Sequence, residues 1–280
     1  MRVTLFGASG LLGKALMREW RQDAVTGLSS SDADIRDAGR VLQVLRDTRP
    51  EWIVLSAAYT DVDGCESNAE FAFAVNRDGA VNVGRAAREV GARLMFLSSD
   101  YVFDGKKTTP YETSDPRNPK SVYGRTKADA EIKLQELIPD CCIVRTSWLF
   151  GIGGKCFPDT ILKLAASRPS LDVVNDQRGC PTYVVDLARS IISLCRKNAE
   201  GIVHSTNTGS CSWFEFAQEI VRSADLAADI RPTSTERIAR PAPRPAYSVL
   251  SSASLEKWRI TMPSWQDALH RYLDARLKLK

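Results

Sequence analysis

Histidine is nearly absent: the 280 residues include only His204 and His270. Histidine-rich metal sites are therefore excluded, and acid–base chemistry falls to another residue type. No CxxC occurs, and the seven cysteines (Cys65, Cys141, Cys142, Cys156, Cys180, Cys195, Cys211) form an odd set. Neither a zinc site nor a disulfide framework is indicated, and reduced thiols in a cytoplasmic protein are the plain expectation. No stretch approaches the roughly 20 apolar residues of a membrane span. The opening MRVTLFGASG lacks the layout of a signal peptide, because its short apolar run leads straight into glycines. A dense basic cluster is missing too. The net charge of +4 on 26% charged residues argues against nucleic acid as the main ligand, whereas an anionic small molecule needs only a few local cations. Internal repeats and low-complexity tracts are likewise missing.

What is present is an alternation. Apolar residues make up 44% of the chain, enough for a packed core. The length suits one large α/β domain or one domain with a smaller lobe. Buried-strand patterns at 3–6, 24–28, 52–57, 93–97 and 142–146 are separated by helical periodicity at 11–21, 38–47, 69–90 and 123–137. Such spacing predicts βαβ units and a parallel, doubly wound sheet. After about Gly151 the pattern loosens. Helices are expected at 159–166, 185–197, 213–224 and 264–277, and a strand at 202–204. Residues 231–245 hold four prolines and read as an irregular connection. The expected division is a first domain over 1–150 and a smaller lobe over 151–280, with the chain returning to the first domain around 184–206.

Gly7-Ala-Ser-Gly10-Leu-Leu-Gly13 directly follows the first strand and opens a helix. Glycines there let the backbone turn tightly and approach a pyrophosphate, which the helix N-terminus attracts. The spacing is GxxGxxG, not GxGxxG, and glycine-rich turns also serve as simple connectors. Its place at the first strand of a βαβ pattern points to a dinucleotide. After the second strand come Ser29, Ser30 and Ser31, with no carboxylate at the tip, although Asp32 and Asp34 follow. Hydroxyls there suit a 2′-phosphate, so NADPH is favoured and NADH stays possible. No arginine adjoins the serines in the chain.

Tyr123 and Lys127 lie four residues apart, on one face of the predicted helix. A free phenol has a pKa near ~10 and exchanges protons slowly at neutral pH. A neighbouring ammonium is expected to lower it, making Tyr123 a general acid for a carbonyl undergoing reduction. The pair alone is common by chance. Ser98-Ser99-Asp100 ends the preceding strand, and functional groups in such sheets collect at the strands' carboxyl ends. Ser99 is placed to hydrogen-bond the carbonyl and hold it against the tyrosine.

GASGLLG, SAAYTDVDGCES, LSSDYVFDG, PYETSDPRNPKSVYGRTKADAE, VRTSWLFG, DQRGCPTYVVDLA and RPAYSVL run in order along the chain to a terminal PSWQDAL. They resemble the extended short-chain dehydrogenases and, more narrowly, the dTDP-4-dehydrorhamnose reductase family. The resemblance implies a Rossmann-like domain with a smaller C-terminal substrate-binding lobe. It also implies reduction of the C4 ketone of dTDP-4-dehydro-L-rhamnose. Gly7, Gly10, Leu11, Leu12 and Gly13 would then bind the pyrophosphate, Asp34 and Ile35 border the adenine, and Ala57, Ala58 and Tyr59 line ribose and phosphate. Tyr123 would be the proton donor, and Lys127 would bind the nicotinamide ribose. Ser99 stands where the family usually has threonine. Asp100, Tyr101 and Trp148 would contact the sugar nucleotide, and Arg178 and Arg244 could meet its diphosphate if the lobe covers it. Without the resemblance, both arginines read as surface charges and Trp148 as a core aromatic. Trp52 and Trp213 read as packing.

The expected partner is thus a nucleotide sugar, with no nucleic acid, no membrane and no metal; a homodimer stays open. Other nucleotide-sugar 4-ketoreductases and epimerases are the nearest alternatives. A further one is a non-catalytic regulator like the β subunit of methionine adenosyltransferase, which lacks a tryptophan at the SWLFG position. Trp148 favours the enzyme.

Overall fold

A computed structural model describes residues 1–278. In chain order the elements are β1 (Arg2–Phe6), α1 (Leu11–Glu19), β2 (Ala24–Leu28), α2 (Ala38–Thr48), β3 (Trp52–Leu55), α3 (Val62–Ser67), α4 (Ala69–Phe73), a π-helical turn (Ala74–Gly79), α5 (Ala80–Val90), β4 (Arg93–Ser99), α6 (Val122–Leu137) and β5 (Cys142–Thr146). There follow β6 (Leu149–Phe150), α7 (Phe157–Ala165), β7 (Ser170–Val174), β8 (Arg178–Gly179), β9 (Thr182–Tyr183), α8 (Val184–Arg196), β10 (Gly201–His204), β11 (Cys211–Ser212), α9 (Trp213–Ser223), β12 (Asp229–Thr233), α10 (Ala253–Glu256) and α11 (Trp265–Leu277).

The central sheet has the order β10-β5-β4-β3-β1-β2, parallel throughout. Its inner strands are apolar on both sides, as a doubly covered sheet demands. Val3, Leu5, Trp52, Val54, Met95, Leu97, Cys142 and Val144 face one layer, with Leu12 and Leu16 of α1 and Val184, Leu187 and Ile191 of α8. The intervening residues Phe6, Ile53, Leu55, Leu94, Phe96 and Ile143 face the other, with Val41 and Leu45 of α2, Val83 and Ala87 of α5 and Leu134 of α6. The two-residue period of a strand thus feeds two cores from one sheet. The first core continues into Ile161 of α7, Phe216 and Ile220 of α9 and Leu269 and Tyr272 of α11. All seven cysteines are buried free thiols. Among the described residues, no helix is long and apolar enough to cross a membrane.

Three expectations change. The helix over 69–90 is interrupted by the π turn, which brings the buried Asn76 to the backbone of Tyr59 and to Thr126. Such turns disturb the register without breaking the helix, so apolar periodicity hides them. The strand over 52–57 ends at Leu55. The stretch expected to be wholly irregular over 231–245 begins inside β12, which contains Pro232 and pairs in parallel with β7. A two-stranded ribbon leaves each strand one unpaired side, where a missing N–H costs nothing. The two-residue strands β6, β8, β9 and β11 are too short to show any period.

One polar cluster lies inside this apolar frame. Glu131 of α6 is fully buried. It accepts hydrogen bonds from Ser98 of β4, from Arg145 of β5 at 2.7 and 3.0 Å, and from Arg117 at 2.5 Å. Burial alone would raise its pKa, but Arg145, with help from Ser98 and Arg117, holds it below the ordinary value. Arg145 is also fully buried, with its guanidinium 4.9 Å from the ring centroid of Phe103. Removing one member of such a pair strands the other's charge in the core, a loss of about 3–5 kcal/mol. Glu131→Ala should therefore lower unfolding free energy by that order in a urea titration. A loss below ~1 kcal/mol would mean that the cluster is solvated.

Candidate active site

The carboxyl ends of β1 to β5 open into one cavity of about 890 Å³. Its floor is the glycine turn after β1. Gly7 has φ +90, and a Cβ there would lie 2.6 Å from the nitrogen of Ala57. A Cβ on Gly13 would lie 2.1 Å from the carbonyl oxygen of Gly7. Glycine at these two positions therefore lets the turn pack directly against the end of β3 and against the first turn of α1, where any side chain would meet backbone. Gly10, the N-cap of α1, has no side chain with which to cap the helix, so the first N–H groups face an incoming anion.

At the end of β2, Asp32 is committed to Ser29, taking its N–H at 2.8 Å and its hydroxyl at 2.6 Å. Asp34 is committed to Arg36, which meets it through Nε at 3.0 Å and Nη2 at 2.5 Å. The hydrogen bond from Arg36 holds the Asp34 carboxyl below its ordinary pKa. Arg36 lines the cavity with Ser29, Ser30, Ser31 and Ile35, and its guanidinium lies 5.1 Å from the ring centroid of Phe71. Arg36 is not evident from the chain order, because the backbone loops back and brings it to the cavity beside the serines from six positions beyond Ser30. Ala57, Ala58 and Tyr59, which follow β3, form the adjoining wall. Asn76 pins that wall through the nitrogen and oxygen of Tyr59, at 2.7 and 3.0 Å.

β4 ends at Ser99, and Asp100 follows it; both are buried, and the Ser99 hydroxyl donates to Asp100 at 2.9 Å. Burial pushes the Asp100 carboxyl up to about 6. Ser121 caps α6 by accepting from the nitrogen of Gly124, which fixes the helix start at Val122, directly before Tyr123. Tyr123 packs edge-on against Tyr101 at 5.6 Å between ring centroids. Lys127 lies one turn further on, with its ammonium 4.1 Å from the ring centroid of Phe96.

The lowered tyrosine pKa expected from the sequence is not found. Burial, and then the Asp100 carboxylate, push the Tyr123 phenol above its ordinary value, with a hydrogen bond from Ser99 opposing them in part. Burial also pulls Lys127 down to about 7, opposed by Glu131. Both groups favour their neutral forms because desolvation penalises each charge.

β5 leads into Trp148, which has φ +49, costly for a bulky side chain at roughly 1–2 kcal/mol. Packing holds the residue there. Its indole stacks on Trp213, with centroids 3.5 Å apart and planes within 6°. A Cβ on Gly179 would come within 2.5 Å of the same ring. Trp213, read from the sequence as packing, thus backs a cavity-lining residue.

Every residue given a cofactor, catalytic or substrate role from the sequence lines this cavity except Arg178 and Arg244. Arg178 forms a fork with Glu215 at 2.9 and 3.0 Å. Arg244 forms one with Asp63 of α3 at 2.6 and 3.0 Å. Among the described residues, no group of three or more potential ligands is placed to hold a metal ion. The arrangement joins an anion-binding turn to a hydroxyl, a protonated phenol and an amine, a set able to hold and protonate a polarised carbonyl.

Comparison with known proteins places the chain in one family. The family model described as the RmlD substrate binding domain matches residues 1–277. The spore coat polysaccharide biosynthesis protein SpsK of Bacillus subtilis is 40% identical over 98% of each chain. The dTDP-4-dehydrorhamnose reductase of Streptomyces griseus is also 40% identical, over 94% of this chain and 90% of its own. The crystal structure of dTDP-4-dehydrorhamnose reductase from Bacillus anthracis, in complex with NADP, superposes with a TM-score of 0.96 at 39% identity. That match covers 98% of this chain and 99% of the other.

The desolvated amine gives a direct test. Competition labelling with acetic anhydride, read by mass spectrometry, should give Lys127 a titration midpoint near 7. A midpoint at the ~10.4 of a model lysine would mean that water reaches the amine freely.

Proposed function

The chain belongs to the family of the RmlD substrate binding domain, and on that premise we propose that it reduces the C4 ketone of dTDP-4-dehydro-L-rhamnose to dTDP-L-rhamnose, using NADPH ahead of NADH. The observation that carries this reading is the convergence of Ser99, Tyr123 and Lys127 on the cavity floored by Gly7–Gly13. The turn fits a dinucleotide, since Gly7 and Gly13 allow it to pack tightly between β3 and α1 and the uncapped N-terminus of α1 opens beside it. Gly7, Gly10, Leu11, Leu12 and Gly13 would hold its pyrophosphate, and Lys127 its nicotinamide ribose. When bound, the nicotinamide supplies the hydride.

The remaining work falls to the chain. The Ser99 hydroxyl, once turned from Asp100, donates to the ketone oxygen and orients it. Tyr123 delivers a proton to the same oxygen as negative charge builds there. The phenol is protonated across neutral pH, so the proton is at hand, but burial and Asp100 make it a slow donor until positive charge stands beside it. Lys127, whose amine takes up a proton near pH 7, would offset the charge left on the phenolate once protonated. Asp100, Tyr101 and Trp148 face the sugar nucleotide, and the lobe formed mainly by 151–280 carries its far end over the dinucleotide-binding part. Arg178 and Arg244 would reach a diphosphate only after leaving Glu215 and Asp63.

The decisive assay follows NADPH oxidation by absorbance with and without the 4-keto sugar. Oxidation should require the ketone, and Tyr123→Phe should cut kcat by at least ~100-fold while leaving NADPH binding nearly intact. No ketone-dependent oxidation in the native protein would point to a regulatory module. Turnover on a retained cofactor, with no net oxidation, would point to an epimerase.

Cofactor choice follows from the tip of β2. Ser29, Ser30 and Arg36 are placed to receive a 2′-phosphate, and Arg36 also neutralises Asp34. Arg36→Ala removes a cation and exposes a carboxylate, which repels the phosphate and accepts from a ribose hydroxyl. The ratio of kcat/KM for NADPH over NADH should fall at least ~10-fold. An unchanged ratio would move the 2′-phosphate elsewhere.

A further inference from the structure

The segment between β6 and α7, Gly-Ile-Gly-Gly-Lys155, crosses the start of α1. Lys14 donates to the carbonyl of Gly153 at 2.7 Å, and Arg18 to that of Ile152 at 3.2 Å. Gly153 has φ +106, and a Cβ on Gly154 would lie 3.4 Å from the side chain of Leu11. The strap is therefore seated on the glycine turn, with two side chains of α1 fastening its backbone. At its end, Lys155 is exposed and lines the cavity.

Three cations line that cavity. Arg36 is engaged by Asp34, and Lys127 is buried at the reactive end. Among the described residues, Lys155 has no carboxylate within ion-pair distance and no side-chain hydrogen bond. A cation held over an anion-binding turn, with no partner of its own, matches a diphosphate bound between strap and turn.

We propose that Lys155 is a diphosphate-binding residue, delivered from the second lobe by the 151–155 strap; this rests on the function proposed above. Two ligands of that reaction carry a diphosphate, the dinucleotide and the nucleotide sugar. The seat of the strap on Leu11 and Lys14 favours the dinucleotide.

Lys155→Met removes the charge and keeps most of the stem; Lys155→Arg keeps the charge. Dissociation constants for NADPH and for dTDP, measured by titration calorimetry on the whole protein, separate the two sources. Lys155→Met should weaken NADPH by about tenfold and make its affinity less sensitive to salt. Tm should stay unchanged, and Lys155→Arg should restore most of the affinity. A loss confined to dTDP would keep the diphosphate role and assign it to the sugar nucleotide. Native affinities for both ligands in Lys155→Met would overturn the inference and leave the proposed reduction standing. If the native protein bound neither ligand, the reduction would fall, and the inference with it.

Discussion

Glu131 sets the geometry of the reactive end. Its carboxylate takes hydrogen bonds from Ser98 on β4 and Arg145 on β5 while riding on α6. Ser99 and Asp100 follow Ser98 directly, Lys127 and Tyr123 lie one and two turns earlier on α6, and Trp148 is three residues beyond Arg145. One buried anion therefore fixes the mutual position of the three elements that supply the site. The arrangement extends to β10, where Nε2 of His204 lies 3.4 Å from the Arg145 guanidinium. Burial, and then the charge of Arg145, pull His204 down to about 3, so a neutral ring meets the arginine. The scarce histidine serves architecture, not proton transfer.

The electrostatics of the cavity follow from the same burial. Charge costs most where water is excluded, which leaves Asp100, Tyr123 and Lys127 leaning towards their neutral forms. At the outer end the charges are exposed and matched, with Asp34 against Arg36 and Asp32 against the Ser29 hydroxyl. A gradient runs from a solvated, ion-paired mouth suited to phosphate towards a dry interior suited to a reacting carbonyl.

The legible parts of the sequence were those where one chemical constraint acts locally. Short continuous apolar runs betrayed β1 and β5, because both faces of a parallel sheet are covered. The glycine turn was visible because backbone proximity admits no side chain. The tyrosine and lysine were visible because a helix of fixed pitch joins them. Legibility failed where several segments combine. The direction of the tyrosine's pKa shift depends on burial and on Asp100, neither of which lies in the YxxxK spacing. Arg36 reaches the cavity through a turn stabilised by Asp34, and Arg178 and Arg244 are claimed by Glu215 and Asp63 from distant elements. Trp213 meets Trp148 only because α9 begins beside the end of β5.

The placement of β10 governs the order of assembly. Its register partner is β5, with Ile202 beside Ile143 and Val203 beside Val144, yet residues 147–200 separate the two strands. As the chain leaves the ribosome, β5 presents an unpaired edge until residue 204 has emerged, and its N–H and C=O groups are a template for any passing strand. The β7, β8 and β9 segments and all of α8 must be synthesised in that interval. Closing so long a loop precedes the contacts that reward it, which slows folding and prolongs exposure to aggregation. The nascent chain is most vulnerable while β5 is complete and its outer neighbour is still unmade.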